Sequence, residues 1–258
     1  LNSVTSSGTQ KLDVVYLDAC LMQMIEVEYE IRDYANYTVA SEYFGWTGQP
    51  YDSYISPIDS TTTAQELATI IVTEYHNRFA GTMYAHTMSA VDLAQLGLAS
   101  EVDNFAQALM NGLPTYRTQI TNSRNDCQEF PDVYDDGDDT YVDLYHFASL
   151  IKTNIADSTI QNAAQDVMNA VNAAVIAEAH ENGSAEEYYR LDNAHGISIY
   201  FPSSQDDPGY SNYNPSSLAF VADKRWDEFL AAFFTPLPCS VHLESSEDNA
   251  ATSNKGTI

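Results

Sequence analysis

The passage from Lys11 to Glu26, KLDVVYLDACLMQMIE, constrains the fold of this chain more than any other. Leu12-Asp13-Val14-Val15-Tyr16-Leu17 is a short, mostly apolar run rich in β-branched and aromatic side chains. That composition predicts a strand buried on both faces of a mainly parallel sheet. Beyond Asp18-Ala19-Cys20, apolar positions recur at Leu21, Met24, Ile25, Val27 and Ile31, and spacings of three and four predict a helix over Met22 to Ala35. Cys20 is therefore expected where a strand hands over to a helix. Ligands of α/β folds collect at the carboxyl ends of strands. A helix start adds unpaired N–H groups and the positive end of a dipole, which favour a thiolate. A thiol so placed reads as a nucleophile close to donors for an oxyanion. The competing reading is a small buried thiol.

Composition narrows the function classes. The formal net charge of -27, with only 10 lysines and arginines, excludes binding to a phosphate backbone, so no nucleic-acid partner is expected. No run of about 18 apolar residues occurs, so no membrane span is expected. An acidic, highly soluble chain fits an extracellular or cell-envelope location, although no signal peptide is visible. The three cysteines, Cys20, Cys127 and Cys239, have no metal-ligand spacing, and their odd number leaves at least one thiol unpaired.

Further along, Tyr37 to Ser41 predicts a second strand parallel to the first, reached by a right-handed crossover. Phe44 to Tyr54 is a loop broken by Gly45, Gly48 and Pro50, with Trp46 and Tyr51 giving it aromatic faces, and it forms a natural cleft wall beside Cys20. Helices are expected over Thr61–Phe79, Val102–Leu113, Asp143–Ile155, Ser158–His180 and Leu218–Phe234, with strands over Met83–Val91 and Ile197–Phe201. The acidic run Asp132 to Asp143 reads either as a calcium loop or as a solvated surface; Tyr134 occupies a position where an EF-hand places an oxygen ligand, so that motif fails. Thr235 to Ile258 has the composition of a poorly ordered tail.

The string Asp18-Ala19-Cys20-Leu21-Met22, followed by Glu26, Tyr29, Glu30, Ile31, Arg32, Tyr34 and Ala35 and then by Val39-Ala40-Ser41-Glu42, resembles the clostripain family of cysteine endopeptidases. Gly196 to Pro202, Trp226 and Phe229-Leu230 are similar to that family's closing region, so the resemblance runs to about Phe234. It implies a caspase-like α/β fold, a mostly parallel sheet flanked by helices, with a helical C-terminal portion. It implies hydrolysis after Arg or Lys by Cys20, with Asp18 lining the pocket for the basic side chain. A carboxylate there suits a planar guanidinium. Asp52 is a possible second acid, and Ser41 and Glu42 are placed to shape the same pocket. Calcium is a possible cofactor by the same resemblance, at no assigned residue.

In this family the catalytic His precedes the Cys and sits in a His-Gly pair. Here His76, His86, His146, His180, His195 and His242 all follow Cys20. His195-Gly196 reproduces the dipeptide but lies in the closing region, so it is assigned a structural role, and His76 and His180 are read as surface groups on helices. Residues 1–234 are accordingly expected to be the Cys-bearing part of a peptidase domain that starts mid-domain, its His supplied by an upstream segment. The resemblance places the oxyanion hole on the N–H groups of Cys20 and of the missing Gly. One lost donor costs roughly 3–4 kcal/mol, so this part alone is expected to be nearly inert. The alternatives are an inactive pseudo-peptidase that still binds basic peptides, and a structural domain in which Cys20 belongs to the core.

Overall fold

The structure, a computed structural model, describes residues 1–130, 140–184 and 190–236. Strand β1 (Leu12–Tyr16) leads through a loop to helix α1 (Ile25–Ile31), and β2 (Ala35–Ala40) returns parallel to β1 with Leu12 opposite Ala35 and Tyr16 opposite Val39. A short helix α2 (Tyr51–Ile55) interrupts the aromatic loop that follows. Helix α3 (Ala64–Phe79) begins on a capping box in which Thr63 and Glu66 satisfy one another's backbone N–H groups, as the Thr61–Thr63 run predicts. Next come β3 (His86–Asp92) and the long helix α4 (Leu98–Asn125). Then follow β4 (Glu129–Phe130), β5 (Tyr141–Asp143), α5 (Leu144–Asn154) and α6 (Ser158–Ala174). Strands β6 (Val175–Glu181) and β7 (Ser198–Tyr200) and helices α7 (Ala219–Asp223) and α8 (Trp226–Phe234) complete the described chain.

The molecule is α/β, a helix-flanked sheet with a largely helical C-terminal half. The main sheet runs β1-β2-β3-β6; the β1–β2 pairing is parallel, and β2–β3 and β3–β6 are antiparallel. Alternation along the strands serves both faces. Val39, Met88 and Ala90 pack on Ile71, Val72 and Tyr75 of α3. Ala35 and Val91 face the larger core, where Phe105, Phe147, Phe201, Trp226 and Phe229 are fully buried. A smaller antiparallel sheet, β4-β5-β7, joins α1 through a bridge between Met24 and Ser198.

Several expected boundaries move. Strand β1 is half-buried rather than buried on both faces, because among the described residues it is paired on one side only. The helix expected over Ser158–His180 ends at Ala174. Val175-Ile176 begin a strand that pairs with β3, setting Ala90 opposite Ala177 and His86 opposite Glu181. The sheet's free edge overrides the helical preference of the Ala-rich segment there. Helix α4 runs through Pro114 instead of stopping before it, and the last helix divides between α7 and α8. Residues 132–139 of the acidic run lie outside the described residues, as do Cys239, His242 and the tail from residue 237.

Candidate active site

Beyond β1 the ladder with β2 continues for one bond, Leu17 N–H to the Val39 carbonyl at 2.9 Å, and the chain then turns. Leu21 donates to the Tyr43 carbonyl at 2.8 Å, while Met22 and Gln23 donate to that of Ser41 at 3.0 and 3.1 Å. Residues 21–23 are thereby stitched to the segment after β2 and cannot be helical, so α1 begins at Ile25 rather than beside Cys20. That corrects the expected strand-to-helix junction: the sulfur sits on a loop. The turn is strained, since Leu21 adopts φ 56°, a left-handed conformation that costs a residue with a Cβ of order 1–3 kcal/mol.

Cys20 is exposed, and the Gly45 N–H donates to its Sγ at 3.3 Å. A Cβ at Gly45 would stand 3.1 Å from the Ala19 carbonyl carbon, so a larger residue there would push the two segments apart by a few tenths of an ångström. The loop bearing Gly45 is anchored from below. Tyr75 Oη accepts from Trp46 N–H at 3.1 Å and donates to the Phe44 carbonyl at 3.2 Å, and Trp46 Nε1 donates to the Ala85 carbonyl at 2.6 Å. Burial, with Cys20 and Asp18 nearby, pushes the Tyr75 phenol up to about 12, so it stays a donor.

Asp18 is exposed two residues from the sulfur, and neighbours orient its carboxylate. Gln49 Nε2 donates to Oδ1 at 3.0 Å and Tyr51 Oη donates to Oδ2. Gln49 is itself fixed by Tyr16 and Tyr54, whose hydroxyls donate to its Oε1 at 2.7 and 2.8 Å. The result is an outward-facing acid ringed by tyrosines. Asp52, next to Tyr51 on α2, is exposed. Ser41 is different: it is fully buried, its Oγ lies 2.9 Å from Thr87 Oγ1, and it accepts from Tyr43 N–H at 3.0 Å. Its hydroxyl is committed to holding the loop, which makes it a support beneath the site.

Behind the loop lie two buried acids. Glu28 accepts from Gln23 Nε2 at 2.9 Å and from Thr38 Oγ1, tying the end of the Cys20 loop to α1 and β2. Burial raises its carboxyl to about 8. Glu42 accepts from Gly196 N–H at 2.9 Å; burial, with Asp143 and Glu178 nearby, pushes its carboxyl well up.

None of the described histidines bonds to Cys20. His76 Nδ1 and His86 Nε2 are 3.0 Å apart, His146 Nδ1 accepts from Gln128 N–H at 2.9 Å, and His180 pairs with Glu178 at 2.8 Å on β6, half-buried rather than on a surface helix. His195 is held structurally, as the chain order implies: its N–H donates to Asp143 Oδ2 at 2.6 Å, its Nδ1 is 3.1 Å from Oδ1, and its ring stacks on Tyr145 at 4.3 Å. Burial opposes its charge, but Asp143 lifts its pKa above the ordinary imidazole value. Among the described residues no cluster of three or more His, Cys, Asp or Glu is suited to a metal ion, so calcium is assigned no ligands here. No helix among them is long and apolar enough to cross a membrane.

Sequence reasoning passed over Gln49, Tyr75 and the role of Gly45. Their only signal was the aromatic, glycine-broken loop itself, since each acts on a residue remote in sequence.

Comparison with known proteins adds an independent finding. Residues 1–233 match the model of the clostripain family. Among solved structures, a clostripain from Bacteroides thetaiotaomicron in complex with the peptide inhibitor BTN-VLTK-AOMK superposes with a TM-score of 0.60 at 16% identity, covering 88% of this chain and 91% of that one. An inactive protease zymogen from Parabacteroides distasonis gives 0.59 at 20% identity, covering 89% and 62%. A secreted cysteine protease from Bacteroides thetaiotaomicron, bound to an irreversible peptide inhibitor, gives 0.55 at 18% identity, covering 89% and 62%. This chain thus spans about three-fifths of those last two. No protein of curated function matches it.

Proposed function

The chain belongs to the clostripain family of cysteine peptidases, and from that premise we propose that it hydrolyses peptide bonds after lysine or arginine, with Cys20 as nucleophile and Asp18 as the acid that receives the basic side chain. The observation that carries this reading is an exposed thiol two residues from an exposed carboxylate that Gln49 and Tyr51 hold in a fixed orientation. The basic side chain docks on Asp18, with Asp52 adding negative potential. Docking brings the scissile carbonyl to Sγ. The sulfur adds to the carbonyl carbon, and its proton passes to an imidazole. Among the described residues the Cys20 N–H takes no acceptor, which leaves it to the oxyanion. The amine leaves with that proton, and water hydrolyses the thioester.

The imidazole comes from a segment upstream of these residues. Two features support that: every described histidine is engaged away from Cys20, and among the described residues β1 is paired on one side only. Residues 1–234 by themselves are therefore nearly inactive. A lysine in the peptide inhibitor of one structural relative, and the net charge of -27, both favour basic substrates. The secreted relative and the acidic surface favour an extracellular or cell-envelope location.

The test uses the full-length protein and quenched peptides that differ only at the cleavage position. Cleavage after Lys or Arg at least a hundredfold faster than after Ala or Glu, abolished in Cys20→Ala, is expected. Equal rates for all four peptides would refute the role of Asp18. Tight binding of the basic peptides without cleavage would establish the pseudo-peptidase instead.

A further inference from the structure

A cavity lies away from Cys20, where α1, the small sheet and the segment from Gly209 to Leu218 meet. Its volume is about 370 Å³, within the range of small-molecule sites. Gly209, Asn212, Ser217 and Glu30 form an exposed mouth, and buried Met24, Glu26 and Tyr200 form the floor. Tyr141, Tyr200 and Tyr213 supply the aromatic walls: the rings of Tyr200 and Tyr213 stack at 4.5 Å, and Tyr141 meets Tyr200 nearly edge-on at 6.0 Å.

The electrostatics of this cavity are one-sided. Glu26 is 3% exposed. Its Oε1 accepts from the Tyr200 N–H at 3.0 Å and the Tyr213 hydroxyl at 2.8 Å, but Oε2 is buried with no hydrogen-bond partner. An orphaned carboxylate oxygen in a protein interior is costly. Burial pushes the Glu26 carboxyl up to about 7, as expected for an acid without a counter-charge. Glu30 adds a second carboxylate at the mouth, where its Oε1 accepts from the Ala219 N–H. Not one lining residue is Lys, Arg or His. Basic groups on neighbouring elements are engaged elsewhere: Arg32 and Lys224 lie over Tyr29, Arg225 is paired with Asp103, and Arg124 donates to the Phe201 carbonyl.

We infer that this cavity binds an organic cation, an alkylammonium group on an apolar stem, with the ammonium drawn to Glu26 and the stem enclosed by Tyr141, Tyr213 and Leu218. The unpartnered oxygen and the absence of basic lining residues favour a positive charge, the apolar walls favour a stem, and ring faces add cation–π attraction. An ammonium fits better than a guanidinium. With Oε1 already taken, Glu26 offers one free oxygen, and a point charge uses one where a guanidinium fork needs two. The site is independent of the peptidase reading, since none of its residues belongs to the Cys20 loop or the Asp18 wall.

The experiment titrates the full-length Asp18→Asn protein calorimetrically, which removes the acid proposed to receive basic side chains, at 0.15 M salt, with cadaverine, 1-pentanol and Nα-acetyl-lysine methylamide. Cadaverine should saturate one site, with pentanol at least tenfold weaker. Glu26→Gln and Ser217→Trp should each weaken cadaverine at least tenfold. Ser217 is exposed at the mouth, so its variant carries the test even if Glu26→Gln fails to fold. Lysine amide binding as well as cadaverine would identify a protein lysine as the occupant, and binding of cadaverine alone would identify a free amine. The inference is overturned if pentanol matches cadaverine. It is equally overturned if cadaverine binding is undetectable, or unchanged in Ser217→Trp, as it would be for diffuse attraction to an acidic surface.

Discussion

Replacing Glu28 by Gln should make the fold less sensitive to alkali. Glu28 is fully buried beneath the Cys20 loop, where Gln23 and Thr38 donate to it and no cation lies among its partners. Its carboxyl is raised from 4.5 to about 8, so the folded protein holds it neutral while the unfolded chain ionises it. The sign follows from linkage: the fold is most favoured below pH 4.5, and that advantage is lost as pH rises toward 8. Each pH unit in that window costs about 1.4 kcal/mol, so roughly 3 kcal/mol is gone by pH 7. For a chain of this size that is about 6–12 °C in Tm. Gln reproduces the neutral acid's shape and keeps an acceptor for Gln23. Glu28→Gln should therefore match the parent near pH 4.5 and exceed it by about that margin at pH 7, in thermal melts at 0.15 M salt. Glu26 and Glu42 are also raised, but they are common to both proteins and cancel in the comparison. Parallel pH profiles, or a variant destabilised equally at both pH values, would refute the assignment of Glu28 as a buried neutral acid.

Asp18→Asn in the full-length protein should lower kcat/KM for lysine and arginine substrates roughly 10- to 150-fold, the value of about 1.5–3 kcal/mol for one hydrogen bond to a charged group, while Tm stays unchanged because the carboxylate is exposed. Steady-state kinetics on basic and neutral peptides checks it. Gly45→Ala should slow alkylation of Cys20 several-fold, since the added methyl meets Ala19 at 3.1 Å and displaces the loop that the Gly45 N–H holds; stopped-flow thiol labelling reads it. Gly196→Ala should cost about 2 kcal/mol or more in urea denaturation, because φ is +94° and the new Cβ falls 2.9 Å from that of Ser89.

The parts of the fold that were legible in the sequence are those decided locally. The Thr63–Glu66 box announces α3, and a short apolar run rich in β-branched residues announces β1. Where tertiary pairing decides, the sequence misleads. Val175 to Glu181 is Ala-rich and continues a helical pattern, yet β3 offers an edge that it completes. Asp18 and Cys20 were visible as a motif. The groups that orient them were not, because Gln49 reaches Asp18 across 31 residues and Gly45 reaches Cys20 across 25. Ser41 lies beside the right loop, but a period of two turned its hydroxyl inward to Thr87.

The most direct test of the account is mass spectrometry of the full-length protein after exposure to a lysine acyloxymethyl ketone, with Cys20→Ala and Asp18→Asn alongside. The account predicts one adduct, on Cys20, absent from the alanine variant and at least tenfold slower to form in the asparagine variant. An adduct on Cys127 or Cys239 instead, or a rate at Cys20 indifferent to Asp18, would contradict it.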